Sequence, residues 1–230
     1  QLHSFLMDAK VRISQILLPP CADLCGNEDT EMADLGKLKG RTSQDSESIL
    51  EGGLNVPLLT CVEDKKKIAK RTKSRILRWP TDVIRLQNEL PSRCVDKDWM
   101  ILYSTADHGI SISTFYRKVL NHRDTILLVS DHNGHRFGAF VPLPWRNRQD
   151  YFGTGESFVF TLDPVFAVYR WSGANNMCAF SDNTGLLLGG GGQPAIWLDA
   201  DFNMGSSGPC ETFANPCLAS ADMFKCIHVE

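Results

Sequence analysis

The stretch GESFVFTL, residues 155–162, is the part of the sequence that decides the fold. Large apolar side chains at Phe158, Phe160 and Leu162 alternate with smaller or more polar ones. Alternate side chains of an extended chain point to opposite faces, so these three residues share one strongly apolar face. The stretch therefore predicts a β-strand whose apolar face lies in a hydrophobic core.

Similar short segments lie on both sides of this strand, separated by turn residues at intervals of roughly ten residues, which is typical of an antiparallel sandwich. Asn133-Gly134 predicts a type I′ hairpin turn, because both residue types tolerate positive φ. Trp171 and Trp197 occupy the apolar register of their segments, which predicts that both lie in the core. The predicted strands are residues 125–130, 135–140, 156–162, 165–171, 176–181, 185–189, 194–199 and 223–229.

Two short helices are predicted before most of these strands. Thr81 can cap a helix that runs to Leu90, and a second helix begins at Ser111 or Ser113. We therefore predict a mostly β fold of the α+β class, a sandwich of two antiparallel sheets flanked by a few short helices. The second helix has one apolar face, which comprises Ile112, Phe115, Tyr116, Val119 and Leu120.

The N-terminal part of the chain differs in composition from the rest. Residues 1–20 are predicted to contain an amphipathic helix at 2–18. It could pack on the domain, contact a membrane surface or dock to a partner. Residues 21–80 are predicted to be a linker that is first acidic and then basic, with the basic run at 65–75. The folded domain is predicted to span residues 81–230.

Composition narrows the classes of function. Hydrophobic residues make up 43% of the chain and charged residues 22%, which is ordinary for a globular protein. The net charge of -3 and the lack of aromatic residues in the basic run argue against nucleic-acid binding. No apolar run reaches the ~18 residues that a transmembrane helix needs.

The eight cysteines are predicted to be thiols rather than a disulfide framework. They are spread over a long chain without a C-x-x-C pair, and free cysteine behaves as a small buried hydrophobe in reducing compartments. This distribution favours an intracellular protein. The cysteines are Cys21, Cys25, Cys61, Cys94, Cys178, Cys210, Cys217 and Cys226.

Several segments resemble cofactor motifs but have the wrong spacing. GTGESF, residues 153–158, has Phe158 where a dinucleotide loop needs its last glycine, and it leads into a strand instead of a helix. The glycine run 189–192 lacks the G-K-[ST] of a phosphate loop. A calcium loop that starts at Asp199 would have methionine at its sixth position and cysteine at its twelfth. We therefore expect no cofactor and no metal.

Glu156 is an unusual residue to precede so apolar a strand. It can be an edge or buried carboxylate that accepts backbone N–H groups, a contact for a partner, or a catalytic acid. A catalytic acid normally works with a second positioned group, and the sequence nominates none.

These motifs, taken in order, resemble the TLDc domain family from about Thr81 to Glu230. LPSR at 90–93 and WMILYSTADHGISISTFYR at 99–117 match the opening of the family pattern. The remaining matches are FGAF, GESFVF, W-S-G-A-N, the glycine run, WLDAD, GSSGPCETFAN and the closing FKCIHVE. The glycine run has four residues where many members of the family have five.

The resemblance implies a sandwich of two antiparallel sheets, protection against oxidative stress, and binding to subunits of the vacuolar proton-pumping ATPase, whose assembly or activity it modulates. It supplies no catalytic residue. We expect a monomeric protein-interaction domain in the cytoplasm or at the cytosolic face of acidic organelles. The alternative is an enzyme, either a thiol-dependent peroxide scavenger or a hydrolase that uses Glu156. The candidate residues for partner binding, all from the signature stretches, are Gly155, Glu156, Gly190, Gly191 and Asp199.

Overall fold

A computed structural model describes residues 59–61, 74–78, 80–95 and 97–230. The predicted helix at 2–18, most of the predicted linker and the basic run up to residue 73 lie outside the described residues.

The described residues contain three α-helices and eleven strands. The helices are α1 (Thr81–Gln87), α2 (Thr105–His108) and α3 (Ile112–Val119), with a 3₁₀ turn at Ser92–Cys94. The strands are β1 (Leu59–Cys61), β2 (Trp99–Ile101), β3 (Thr125–Asp131), β4 (Arg136–Val141), β5 (Phe158–Asp163), β6 (Ala167–Arg170), β7 (Ala179–Asp182), β8 (Gly185–Leu188), β9 (Ile196–Asp199), β10 (Met204–Ser206) and β11 (Met223–Val229).

Nine strands form one antiparallel sheet in the order β6-β5-β4-β3-β11-β10-β9-β8-β7, and β1 pairs with β2 in parallel beside it. Strand β11 joins the two halves, because its first residues pair with β10 and its last ones pair with β3. The register shifts between Cys226 and His228, where the strand passes from one half to the other. The mostly β class with a few short helices is confirmed. The predicted division into two separate sheets is not confirmed, because hydrogen-bonded pairing runs through all nine strands.

The main hydrophobic core takes side chains from both halves of this sheet. Val129, Phe137 and Val159 from one half belong to the same buried cluster as Leu186 and Leu198 from the other. Because each half of the sheet turns one face to this core, apolar and polar residues alternate along the strands of both halves.

A second cluster covers the opposite face of β3, β4 and β5. It comprises the predicted residues Phe158, Phe160 and Leu162, together with residues of α1 and of the segment 74–78. The alternation that predicted β5 therefore describes a real apolar face, and Glu156 precedes the strand instead of starting it.

The turn between β3 and β4 differs from the predicted type I′ turn. Only Gly134 has a positive φ (84°), and its N–H donates to the carbonyl of Asp131 at 3.1 Å. The Asp131 carboxylate accepts the N–H groups of Asn133 and His135 at 3.0 and 2.9 Å. These bonds favour a type I turn followed by a glycine bulge, because the carboxylate orders the turn amides in the right-handed region.

The two predicted core tryptophans are half-buried. Trp171 packs against the main cluster, whereas the prediction for Trp197 is wrong. In β9 the flanking Ile196 and Leu198 face the core, which turns Trp197 to the other side of the sheet. The tryptophan of the core is Trp145, which is 1% exposed and donates its indole N–H to Thr125 at 2.9 Å. It lies outside every predicted strand, so alternation could not identify it.

The helix predictions hold in type but not in every boundary. Pro80 precedes α1, Thr81 is its first residue and makes no capping bond, and the helix ends at Gln87, short of Leu90. Helix α3 begins after Ser111 as predicted, but Leu120 follows its end and is 51% exposed. Among the described residues, no helix is long and apolar enough to span a bilayer.

Candidate functional site

The site is built around the loop 153–157, which enters β5. Gly153 has φ 120°, and the N–H of Ser157 closes a turn on the carbonyl of Thr154 at 2.9 Å. The side chain of Thr154 accepts the N–H of Glu156 at 3.3 Å. This local bonding directs Glu156 outward, where 46% of its side chain is exposed.

Arg93 is the partner of Glu156. Its Nη1 and Nη2 donate to the two carboxylate oxygens of Glu156 at 2.6 and 2.7 Å, a bidentate pair. The same guanidinium donates from Nε and Nη2 to one oxygen of Asp124 at 3.1 and 2.7 Å. The 3₁₀ turn holds Arg93 in place, since the adjacent Cys94 is buried.

This pairing decides the charge of Glu156. The hydrogen bonds from Arg93 lower the pKa of the Glu156 carboxyl, and those from both carboxylates raise the pKa of the Arg93 guanidinium. A general acid needs a raised pKa so that it carries a proton near neutral pH. Glu156 is therefore an ionised, paired carboxylate, and its partner is a guanidinium; backbone N–H groups were one of the three possibilities that the sequence left open.

Gly155 lies beneath the ring of Trp171. A Cβ atom at this position would lie 2.6 Å from Cε3 of the ring, closer than real contacts allow. The indole N–H donates to the carbonyl of Asn175 at 2.7 Å, which fixes the ring over the glycine. The glycine of GESF is thus required by the tryptophan of W-S-G-A-N.

The glycine run 189–192 contacts the loop that follows Trp171, through Asn175 and Met177. The N–H of Gly190 donates to Oγ1 of Thr212 at 2.9 Å, and that hydroxyl donates to the side-chain oxygen of Asn175 at 2.7 Å. A Cβ on Gly190 would lie 2.7 Å from the sulfur of Met177. At Gly191, where φ is 76°, a Cβ would lie 2.5 Å from a carboxylate oxygen of Glu211.

Most of the predicted candidates therefore meet in one place, which we call the signature surface. A Cβ on Gly155 would clash with the ring of Trp171, and the positive φ of Gly191 favours glycine. A Cβ on Gly190 would displace the side chain of Met177. The signature surface comprises Arg93, Gly155, Glu156, Trp171, Gly190 and Gly191.

Asp199 lies elsewhere. It pairs with Gly185 at one end of the β8–β9 hairpin, whereas the glycine run follows Leu188 at the other end. Its carboxylate accepts the N–H groups of Asn203 and Met204 at 2.8 and 3.1 Å, so it orders the turn into β10. A binding role for Asp199 stays a prediction.

Five cysteines have described side chains, and all five are free thiols: Cys94, Cys178, Cys210, Cys217 and Cys226. Burial raises the pKa of the Cys94, Cys178 and Cys210 thiols, and it raises that of Cys226 to about 12. A nucleophilic thiol needs the opposite shift. Within the described residues, no three histidine, cysteine or acidic side chains are grouped as a metal site would require.

Sequence reasoning missed Arg93 and Asp124 as members of the site. Arg93 was visible as the last residue of LPSR, but its partner Glu156 lies 63 residues away in sequence. Asp124 has a positive φ of 53° and no motif of its own. No periodicity marks such a pairing, which only the fold creates.

A family model described as the TLDc domain matches residues 71–230. Among curated proteins, the chain is 42% identical over 147 residues to a chicken (Gallus gallus) protein named Nuclear receptor coactivator 7, covering 63% of this chain and 16% of that protein. The human (Homo sapiens) protein of the same name is 40% identical, with 60% and 15% covered. A rat (Rattus norvegicus) protein named Oxidation resistance protein 1 is 37% identical, with 63% and 18% covered.

The chain thus spans less than a fifth of the length of these relatives. The match to the family model, in contrast, includes every residue of the signature surface and continues to Glu230. This chain belongs to the TLDc domain family.

Proposed function

We propose that this chain protects against oxidative stress as a non-enzymatic interaction domain, and that its partner is the vacuolar proton-pumping ATPase. The proposal for the partner comes from the family resemblance, and the name Oxidation resistance protein 1 among the relatives supports the link to oxidation. In this proposal the domain acts as a monomer in the cytoplasm or at the cytosolic face of acidic organelles, without binding nucleic acid.

The observation that carries the proposal is the state of Glu156. Both of its carboxylate oxygens are bonded to Arg93, and its pKa is lowered. Such a carboxylate is a poor general acid, but a half-exposed, oriented ion pair offers charge and hydrogen-bonding capacity to a partner. The close contact between Gly155 and the ring of Trp171 holds the loop that carries Glu156, so the surface is ordered before it binds.

The enzyme alternatives find little support in the same residues. A peroxide scavenger needs an exposed thiolate, whereas burial raises the pKa of four described thiols. A hydrolase that uses Glu156 needs it protonated or free to act as a base, and its bonds to Arg93 oppose both.

Glu156→Gln tests the proposal, because it removes the charge and keeps the shape. The matched control is Asp201→Asn, an exposed acid in the turn between β9 and β10, at the opposite end of the β8–β9 hairpin from the glycine run. Circular dichroism first establishes that both variants are folded. Each is then measured for binding to pump-containing membranes, for protection of cells exposed to peroxide, and for peroxidase and esterase turnover.

We expect no turnover from the parent chain, and we expect protection to follow binding in every variant. Asp201→Asn should match the parent in both readouts. A folded Glu156→Gln that binds the pump as tightly as the parent, yet loses both protection and a turnover that the parent shows, would establish the enzyme reading instead.

A further inference from the structure

The segment 74–78, which we call the strap, is fixed at its start by Ser74 and Glu230, and further along Arg136 donates to the carbonyl of Ile76. The hydroxyl of Ser74 donates to one carboxylate oxygen of Glu230, and the N–H of Arg75 donates to the other at 2.9 Å. Glu230 is itself fixed, because its N–H and carbonyl pair with Leu128 at 3.0 and 2.8 Å. The carboxylate is thus a rigid anchor for the start of the strap.

Ser74 also organises the strap from within. Its Oγ accepts the N–H groups of Ile76 and Leu77 at 3.1 and 2.9 Å. One hydroxyl therefore makes three hydrogen bonds, and Ser74 is 6% exposed. Because its oxygen orders the next two amides, a change at Ser74 acts on the whole strap.

The strap covers apolar surface. Ile76 and Leu77 are 2% and 7% exposed and belong to the cluster that lies over β3, β4 and β5. Ser74, Leu77 and Glu230 also line a cavity of about 300 Å³. Release of the strap would therefore uncover the outer face of the sheet and open this cavity.

The sequence around Ser74 has the charge pattern that a basophilic protein kinase selects. Arg71 lies three residues before the serine, and Lys73 and Arg75 flank it. Kinases discriminate substrates by such charge patterns. Ser74 is therefore both the residue that bonds the strap to Glu230 and a serine in a sequence that a basophilic kinase would recognise.

We propose that Ser74 is a phosphorylation site and that its modification releases the strap. A kinase would transfer the γ-phosphoryl group of ATP to Oγ: the Oγ–P bond forms, the bond from the γ-phosphorus to the bridging oxygen breaks, ADP leaves, and the hydroxyl proton passes to the kinase base. The ester oxygen then has no hydrogen to donate to Glu230.

Two further effects act in the same direction. The phosphate carries about -1.5 to -2 charges and would face the carboxylate that now accepts the serine proton. The phosphate also cannot leave the Oγ lone pairs free to order the Ile76 and Leu77 amides in the same geometry. Since Ser74 is buried when the strap is seated, the kinase reaches it only after the strap opens, and phosphorylation then prevents it from closing.

The first test compares phosphorylation of three substrates by the catalytic subunit of cAMP-dependent protein kinase, with sites mapped by mass spectrometry. They are a peptide of residues 66–80, the parent chain and its Glu230→Gln variant. We expect Ser74 to be modified fast in the peptide, about tenfold or more slowly in the parent, and at an intermediate rate in the variant. Equal rates in peptide and parent, or no modification of Ser74 in the peptide, would overturn the proposal.

The second test measures amide hydrogen exchange in the full chain. Ser74→Glu should raise exchange of the Ile76 and Leu77 amides by about tenfold or more over Ser74→Ala, which loses the hydrogen bonds but adds no charge. The control Ser113→Glu places the same charge on an exposed serine of α3 and should leave these amides unchanged.

Adding Glu230→Gln to Ser74→Glu should restore part of the protection, because it removes the opposing charge. If Ser74→Glu does not fold, the enzymatically phosphorylated parent provides the same comparison. Exchange in the charged form equal to that of Ser74→Ala, or no effect of Glu230→Gln on it, would overturn the proposed repulsion.

Discussion

Two arginines of this domain are each held between two carboxylates, in very different surroundings. Arg136 donates to Asp82 and Asp163, and 7% of its side chain is exposed. Arg93 donates to Asp124 and Glu156, and 41% of its side chain is exposed. Both sites consist of one guanidinium between two carboxylates. We therefore attribute the difference between a structural and a binding role to their different burial.

The buried site ties separate elements together. Arg136 lies on β4, and its partners come from α1 and from the end of β5, while its Nη1 also donates to the carbonyl of Ile76 in the strap. Charges removed from water in this way must stay paired, since an orphaned one is costly. The exposed site leaves its charges within reach of another molecule, which suits recognition better than stability.

Removal of the buried arginine should have the largest effect. Arg136→Met removes the buried guanidinium from Asp82 and Asp163 and leaves them only their contacts with Arg78, and we expect it to lower the free energy of unfolding by about 3–5 kcal/mol. Urea denaturation followed by circular dichroism measures this loss. A loss below about 1 kcal/mol would mean that water can reach these carboxylates and that the site is not structural.

The same contrast between buried and half-buried positions separates two tryptophans. Trp145→Ala removes a side chain that is 1% exposed, and it should cost about 3–5 kcal/mol. Trp171→Ala should cost clearly less, because this ring is half-buried. Thermal denaturation of the two variants side by side checks the order, and a greater loss for Trp171→Ala would contradict the burial described above.

Acid should weaken the buried site through Asp163. The hydrogen bond from Arg136 lowers the pKa of the Asp163 carboxyl in the folded state. Its contribution is therefore present above the unfolded pKa of about 4 and is lost as pH falls through the folded value. Asp163→Asn should lower stability at pH 7, and the difference from the parent should shrink as the pH falls through the folded pKa. Urea midpoints of the parent and the variant across this pH range give the difference.

The smallest effect on stability is expected at the exposed site. Arg93→Met should change the free energy of unfolding by about 1 kcal/mol or less, since the pair is screened by solvent. The same urea titration measures it beside Arg136→Met. A loss as large as that of Arg136→Met would show that the signature surface holds the fold together and is not free to serve a partner.

Sequence patterns predicted the strands and helices whose formation depends on the spacing of nearby apolar residues. The alternation at Phe158, Phe160 and Leu162 predicted β5, and the spacing of Ile112, Phe115 and Val119 predicted α3. The same patterns did not predict burial that depends on residues far apart in sequence, as for Trp145. Strand β10 was missed because Met204–Ser206 has no apolar alternation, and Gly205 is required there by the ring of Phe224.

In the candidate site, too, some features could be predicted from the sequence and others could not. The signature stretches predicted Gly155, Glu156, Gly190 and Gly191, which the fold brings together. The pairing of Glu156 with Arg93 could not be predicted, because a salt bridge across 63 residues leaves no periodic trace. Asp199 belongs to a signature stretch but lies at the other end of the β8–β9 hairpin from the glycine run. A family motif can include residues that only stabilise the fold, as the hydrogen bonds of Asp199 in its turn illustrate.

The central claim is that the exposed arginine site recognises a partner while the buried one maintains the fold. The most direct test is the affinity of folded Arg93→Met for pump-containing membranes, measured against Lys225→Met, a matched loss of an exposed cation on β11. We predict that Arg93→Met binds about tenfold or more weakly at nearly unchanged stability, and that Lys225→Met binds like the parent. Parental affinity in Arg93→Met would contradict the claim.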